Sequence, residues 1–295
     1  MKTEKMDEKI MNQFEVETVE PLLQQVMEIL EKEYIEKRET WKNEFLEFVA
    51  TKVLPKMKEL GEREDFHPSY LSFHMLRTRL LRHEYQYSVD LYGDKWFLEE
   101  EIRLADWNVD FIFSHFEFLW KQLSRIGKRY FGKMEEAELN CIMMLVAESF
   151  NDYLVKLLRY ARNELIELPL YQEVKKGDTF LIQCGEYFDF CEFVHREVIG
   201  KEEKTLKKMV LNREDEQTYP FRDFRYMDFS DVEFNEYCFQ YVDFSHCLLE
   251  NTTFTKCDLT GARFCHADLS TTKFIKCNLT DAYGLEDWGS INGQE

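Results

Sequence analysis

At 295 residues, with 44% hydrophobic and 32% charged side chains, the chain has the composition of a globular protein of one or two domains. Its net charge is −19, divided as −12 over residues 1–200 and −7 over 201–295. Nucleic acids and anionic membranes are held by Lys and Arg against phosphate, so this balance argues against both as partners.

Met1 is followed by a charged stretch, and no uncharged run approaches the about 18 residues of a membrane span. The eight cysteines show no CxxC or metal-ligand spacing. These features read as a cytoplasmic protein without disulfides or a cofactor.

Residues 1–15 are polar and read as a flexible start. Thr18 is placed to cap a helix with Pro21 in its first turn, and apolar residues recur at helical spacing from Leu22 to Tyr34 and again from Trp41 to Val53. Pro55 should kink or end that helix, and Gly61 with His67-Pro68 marks a loop. Tyr85, Tyr87, Val89 and Leu91 alternate with polar residues ahead of Gly93-Asp94, which predicts a strand over 84–92. A strand needs partners, and the candidates are 71–80 and 179–184. Asp106 is expected to cap an aromatic-rich helix from Trp107 to Tyr130, either buried all round or lining a pocket. A second helix is expected from Glu135 to Leu168, ended by Pro169. Residues 186–198 read as a short helix with Tyr187, Phe190, Cys191 and Val194 as its stripe, and the Lys/Glu-rich stretch 200–218 as a linker.

Beyond it the period changes. From Phe224 to Leu279 every fifth residue is Phe or Leu, twelve in all. A second series of mostly small or apolar residues precedes each by two, from Met227 and Val232 to Thr272 and Cys277. Neither a helix nor a strand generates a period of five, so the stretch is a solenoid. The residues between, such as Ser230-Asp231, Asn235-Glu236 and Ser245, are expected to face water.

The units Ala267-Asp268-Leu269 and Cys277-Asn278-Leu279 carry the clearest match, and the stretch resembles the pentapeptide-repeat family. That resemblance implies a short right-handed quadrilateral β-helix with four pentapeptides to the coil. Three coils then stack residues twenty apart, for example Phe224-Phe244-Phe264 and Phe234-Phe254-Phe274, over about 14 Å. Open ends of a coil need caps; the N-terminal part is expected over the first coil, and Leu285 with Trp288 over the last. The fold class is an α+β N-terminal domain, mainly helical with a small sheet, followed by this solenoid. Its divisions are 1–15, 16–199, 200–218 (linker), 219–288 (repeat) and 289–295 (tail).

No P-loop, GxGxxG, GxSxG or HExxH occurs. His74, Arg77, Arg79 and Arg82 form a local basic group that either receives an anion or pairs with carboxylates of neighbouring elements. His246 and His266 are expected to stack at about 5 Å below Tyr226, without an evident third ligand for a metal. The outward residues of the first coil and a half are mainly acidic, and Asp228, Asp231, Glu233, Glu236 and Asp243 are the candidate surface for a basic protein partner.

Three functions remain open on sequence: a non-enzymatic interaction or adaptor protein, an enzyme with its site in residues 1–200, and a DNA mimic that binds a type II topoisomerase, as some members of the resembled family do. Duplex DNA would present roughly eight negative charges over such a shaft, whereas residues 222–283 are net −4. The mimic is disfavoured by that count and by the shaft's length.

Overall fold

The alternation at 84–92 belongs to a five-stranded sheet in the computed structural model, which describes residues 11, 13–130, 135–198, 203–214, 216 and 219–285. Its strands are β1 (Tyr70–Met75), β2 (Gln86–Tyr92), β3 (Ile102–Asn108), β4 (Thr179–Glu186) and β5 (Cys191–Val198), in the order β3-β2-β1-β4-β5. Only β1 and β4 run parallel, with Phe73 opposite Cys184. The other pairs are antiparallel.

Period two sorts the strand residues. Leu71, Phe73, Val89, Leu91, Phe180 and Ile182 enter the core shared with the helices. Ser72, His74, Ser88, Asp90 and Gln183 point to the opposite face and are buried there. The helices are α1 (Glu20–Phe48), α2 (Leu54–Gly61), α3 (Asp110–Tyr130) and α4 (Glu136–Glu167). Leu154, Leu157, Leu158, Ala161 and Leu165 of α4 are buried in the same core.

Several expectations need correction. The backbone is already helical through Glu15–Val19, so Thr18 does not cap α1, and Phe14 is buried in the core rather than part of a loose start. The rest of that start falls largely outside the described residues, as do Trp288 and the 289–295 tail. Pro55 does not stop the helical path. A π-helical stretch, Val49–Val53, leads into α2, and Pro55 lies in the first turn of α2, so the helical path is locally widened ahead of the proline and not ended by it.

Residues 102–108 form β3, so the aromatic helix begins at Asp110 and not after Asp106. Its first turn is held by the Asn108 side chain, which accepts the Asp110 N–H at 2.9 Å. Phe113, Phe116 and Trp120 are buried and Phe111 is half-buried, whereas Phe118 is exposed. The region 71–80 is a strand only as far as Met75, with a helical turn at Arg77–Leu80. Residues 191–198 are strand β5 rather than helix, following a tight turn in which Phe188 has φ of 58°.

The fivefold stretch repeats in space every twenty residues. Strands β6 (Glu233–Asn235), β7 (Thr253–Thr255) and β8 (Lys273–Ile275) pair in parallel, Phe234 against Phe254 against Phe274. Bridges at the same offset join Asp223 to Asp243, Asp228 to Leu248, and Cys238 to Asp258. Inside, Phe244 stacks on Phe264 at 5.3 Å and 10°, and Phe254 on Phe274 at 5.2 Å and 9°. Both inward series are buried through most of the stretch, but Phe274, Cys277 and Leu279 in the last turn are only half covered.

The cap over the first turn comes from the stretch read as a linker. Helix α5 (Glu203–Leu211) sets Leu206, Met209 and Val210 against the coil interior. The Val210 carbonyl accepts the Tyr237 hydroxyl at 3.0 Å. Its single apolar cluster is therefore the roof that an open coil requires. At the other end Leu285 packs on the same interior.

Candidate functional site

Helix α4 meets the coil side-on, through arginines the sequence does not advertise. Arg162 is 2% exposed and donates to the carbonyls of Tyr241 at 3.0 Å and Gly261 at 3.1 Å, one on each of two successive turns. Burial lowers its pKa to about 10. From the coil, Arg263 reaches back to Asn163 Oδ1 at 2.9 Å and pairs with Glu167. Arg159 donates to the Phe193 carbonyl on β5 at 2.9 Å and lies over the rings of Phe221 and Tyr241 at 4.9 and 4.8 Å. One helix thus clamps the sheet edge and the side of the coil together. The signal available in sequence was Arg162 itself, set among Leu158, Ala161 and Leu165 on an apolar stripe.

This joint consumes one line of the coil. Asp223 and Asp243 are both buried on it. Asp223 accepts the Val198 N–H at 3.1 Å and Arg225 at 2.9 Å. Asp243, read in sequence as part of an outward acidic surface, is 2% exposed and lies 4.0 Å from Arg263. Ser245 is buried too, because its hydroxyl accepts Arg263 Nε at 3.0 Å.

The remaining acidic candidates stay outside. Asp228, Asp231, Glu233 and Glu236 are exposed. Asp228 lies 3.8 Å from Lys207 of the cap, Asp231 accepts the Asn251 amide at 3.0 Å, and Glu236 pairs with Lys256 at 2.9 Å. Neighbouring turns therefore neutralise part of this surface, while Glu233 has no ion pair among the described residues. On another side Tyr226, His246 and His266 stack at 4.8 and 4.7 Å, as the twenty-residue repeat requires. No group of three or more metal-ligating side chains occurs among the described residues.

The basic group of the N-terminal part does not converge on one point. His74 is fully buried and shares Asp90 with Ser88 and Arg103; its Nδ1 lies 2.9 Å from Asp90 and the Arg103 Nε 2.7 Å away. Burial raises the Asp90 pKa, but its partners outweigh that and hold the carboxyl below its ordinary value. The rings of Tyr187, Tyr92 and Phe97 enclose the imidazole at 5.2, 6.0 and 6.5 Å. Arg77 binds Glu186 and Arg79 binds Asp106, at 2.7 and 2.8 Å. Arg82 alone is exposed without an ion pair among the described residues. Two of the three arginines are thus matched by carboxylates, the plainer of the alternatives the sequence left open.

A second buried cluster was not anticipated. Glu197 on β5 accepts Tyr171 at 2.6 Å and lies 3.3 Å from both Lys176 and His195. Burial pushes Glu197 up, yet these partners hold it well below the carboxylate range. His195 is lowered by burial.

Against known families, residues 243–281 match the pentapeptide repeats in eight copies. The match lies wholly within the stretch whose side chains stack at twenty-residue intervals. No curated protein matches the chain. No helix among the described residues is long and apolar enough to cross a membrane. Pentapeptide repeats are in general protein-interaction modules.

Proposed function

We propose that this chain is a non-enzymatic interaction protein of the cytoplasm, in which the repeat coil serves as a rigid platform for a basic protein partner. The coil is read as a right-handed quadrilateral β-helix of about three turns. The partner would meet Asp228, Asp231, Glu233 and Glu236 on its first turn, without nucleic acid or membrane.

One observation carries this reading. The joint with α4 buries the line through Asp223 and Asp243, yet leaves these four acids exposed on a backbone paired turn to turn. A surface whose geometry is fixed before binding loses little conformational entropy on association. Its negative charge steers a basic partner at a rate that falls as salt rises. Eight free cysteines fit a reducing compartment.

The test is charge reversal in the full chain. Asp228→Lys, Asp231→Lys and Glu236→Lys together should abolish capture of the partner, measured by crosslinking and mass spectrometry, and Lys273→Glu with Lys276→Glu should not. The opposite pattern would move the interface to the last turn.

A further inference from the structure

Between α1, α4 and the side of the coil lies a cavity of about 530 Å³, within the size range of small-molecule sites. Helix α1 contributes Tyr34 and Arg38, α4 contributes Tyr160, and the coil contributes Tyr241, Asp281 and Tyr283. Three elements thus supply its wall, and the arginine joint just described ties two of them, α4 and the coil, together.

The charges in this cleft are largely spent. Lys156 lies 3.7 Å from Glu31, Glu164 takes Lys42 at 2.6 Å, and Arg159 takes Glu192 at 2.7 Å. Two charges of opposite sign remain without an ion pair among the described residues, Arg38 and Asp281. The Arg38 guanidinium carbon lies over the Tyr160 ring, 4.8 Å from its centroid. A guanidinium held this way by an aromatic ring keeps N–H donors available for a carboxylate. Tyr34 is more than nine-tenths buried and lines the cavity, and its hydroxyl makes no hydrogen bond with a described residue. The hydroxyl is not one of the buried unpaired polar atoms, so it meets solvent in the cavity, which a ligand oxygen would replace.

We propose that this cleft binds a free aromatic α-amino acid, its carboxylate on Arg38 and the Tyr34 hydroxyl, its ammonium on Asp281, and its ring among the tyrosine side chains of the wall. A polyanion such as a nucleotide is disfavoured, because Glu31, Glu164 and Asp281 share the wall with the cations. A simple hydrocarbon would leave Arg38, Asp281 and Tyr34 desolvated and unpaired. A zwitterion with an aromatic body satisfies all three and fills the space between the rings. The site is independent of the acidic surface on the first turn, and stands or falls separately from the adaptor reading.

The experiment is calorimetric titration of the full chain with L-phenylalanine, L-tyrosine and L-tryptophan, beside 3-phenylpropionate, which lacks the ammonium, and phenethylamine, which lacks the carboxylate. At least one amino acid should bind with one-to-one stoichiometry, and both analogues at least about tenfold more weakly, the scale of a lost charge-assisted bond. Arg38→Ala and Asp281→Asn should each weaken the amino acid by a similar factor with the melting temperature unchanged. Asn is chosen because residue 281 has φ of 55°, which Asn tolerates. No binding by any of the three amino acids at millimolar concentration overturns the proposal. So does binding that survives both substitutions, or an analogue that binds as tightly as the amino acid.

Discussion

Arg162→Ala isolates the bond between the two parts of the chain. The guanidinium donates to two carbonyls on successive turns, at 3.0 and 3.1 Å, from a fully buried position. A hydrogen bond from a charged donor contributes about 1.5–3 kcal/mol, so two give roughly 3–6 kcal/mol. Removing the charge also removes its desolvation cost, but leaves two carbonyls unpaired and a void where the side chain stood. The net loss should be about 3–5 kcal/mol, the scale seen when one partner of a buried charged contact is deleted. The loss should fall on the coil first. Hydrogen–deuterium exchange read by mass spectrometry would show amides such as Arg263 N, which donates to Val242 O at 2.9 Å, exchanging before those of β1, β2 and β4. A urea midpoint unchanged from the parent, or loss of protection spread evenly over sheet and coil, would refute the reasoning. Arg162→Met keeps most of the volume and separates the charge from the void; it should still expose the coil preferentially.

Two other expectations concern stability. Phe244→Ala, at the centre of the coil, tilted against Phe224 and stacked on Phe264, should cost about 3–5 kcal/mol, measured by denaturant unfolding. Ser245→Ala should cost about 1 kcal/mol, because its hydroxyl accepts Arg263. Acid sensitivity follows from Asp90 and Glu197, whose carboxyls in the folded chain are held below their ordinary 3.8 and 4.5. The unfolded chain then binds more protons as pH falls, so their stabilisation is present above about pH 4.5 and is lost as pH drops through the depressed folded values. Urea midpoints taken from pH 7 downward should show a shallower acid limb in Asp90→Asn with Glu197→Gln; an identical limb would remove these groups from the account.

The repeat was legible because its period is written directly in side-chain type. Phe and Leu every fifth residue leave no other regular arrangement, and the stacked columns follow from the same count. Strand β5 was hidden for a physical reason. Tyr187, Phe190 and Val194 fall at helical spacing, but Phe188 and Phe190 are exposed on the turn, while the strand buries His195 and Glu197 through mutual pairing. Charged residues facing inward break the alternation that marks a strand. In β3 the register shifts between Val89 and Asp90 of its partner, leaving Leu104 as the extra residue. One inserted residue moves the apolar set to the other face, so no single period of two survives. Of the five acids expected outside, Asp228, Asp231, Glu233 and Glu236 are exposed and Asp243 is buried. Its place on the joint depends on Arg263, twenty residues later, and on a helix eighty residues earlier.

The two ends of the coil are unlike. Helix α5 roofs the first turn, with Val210 fully buried, whereas Phe274 and Leu279 of the last are half covered and β8 pairs only with β7 among the described residues. A helix thus closes the first turn, and Leu285 packs on the interior at the last. Because the turns pair at an offset of twenty residues, an insertion of any other length within the stretch would set every later side chain out of its column. Asp281 and Tyr283, just beyond Leu279, line the cleft against α1 and α4, so a change of length at that end would reach the cleft as well.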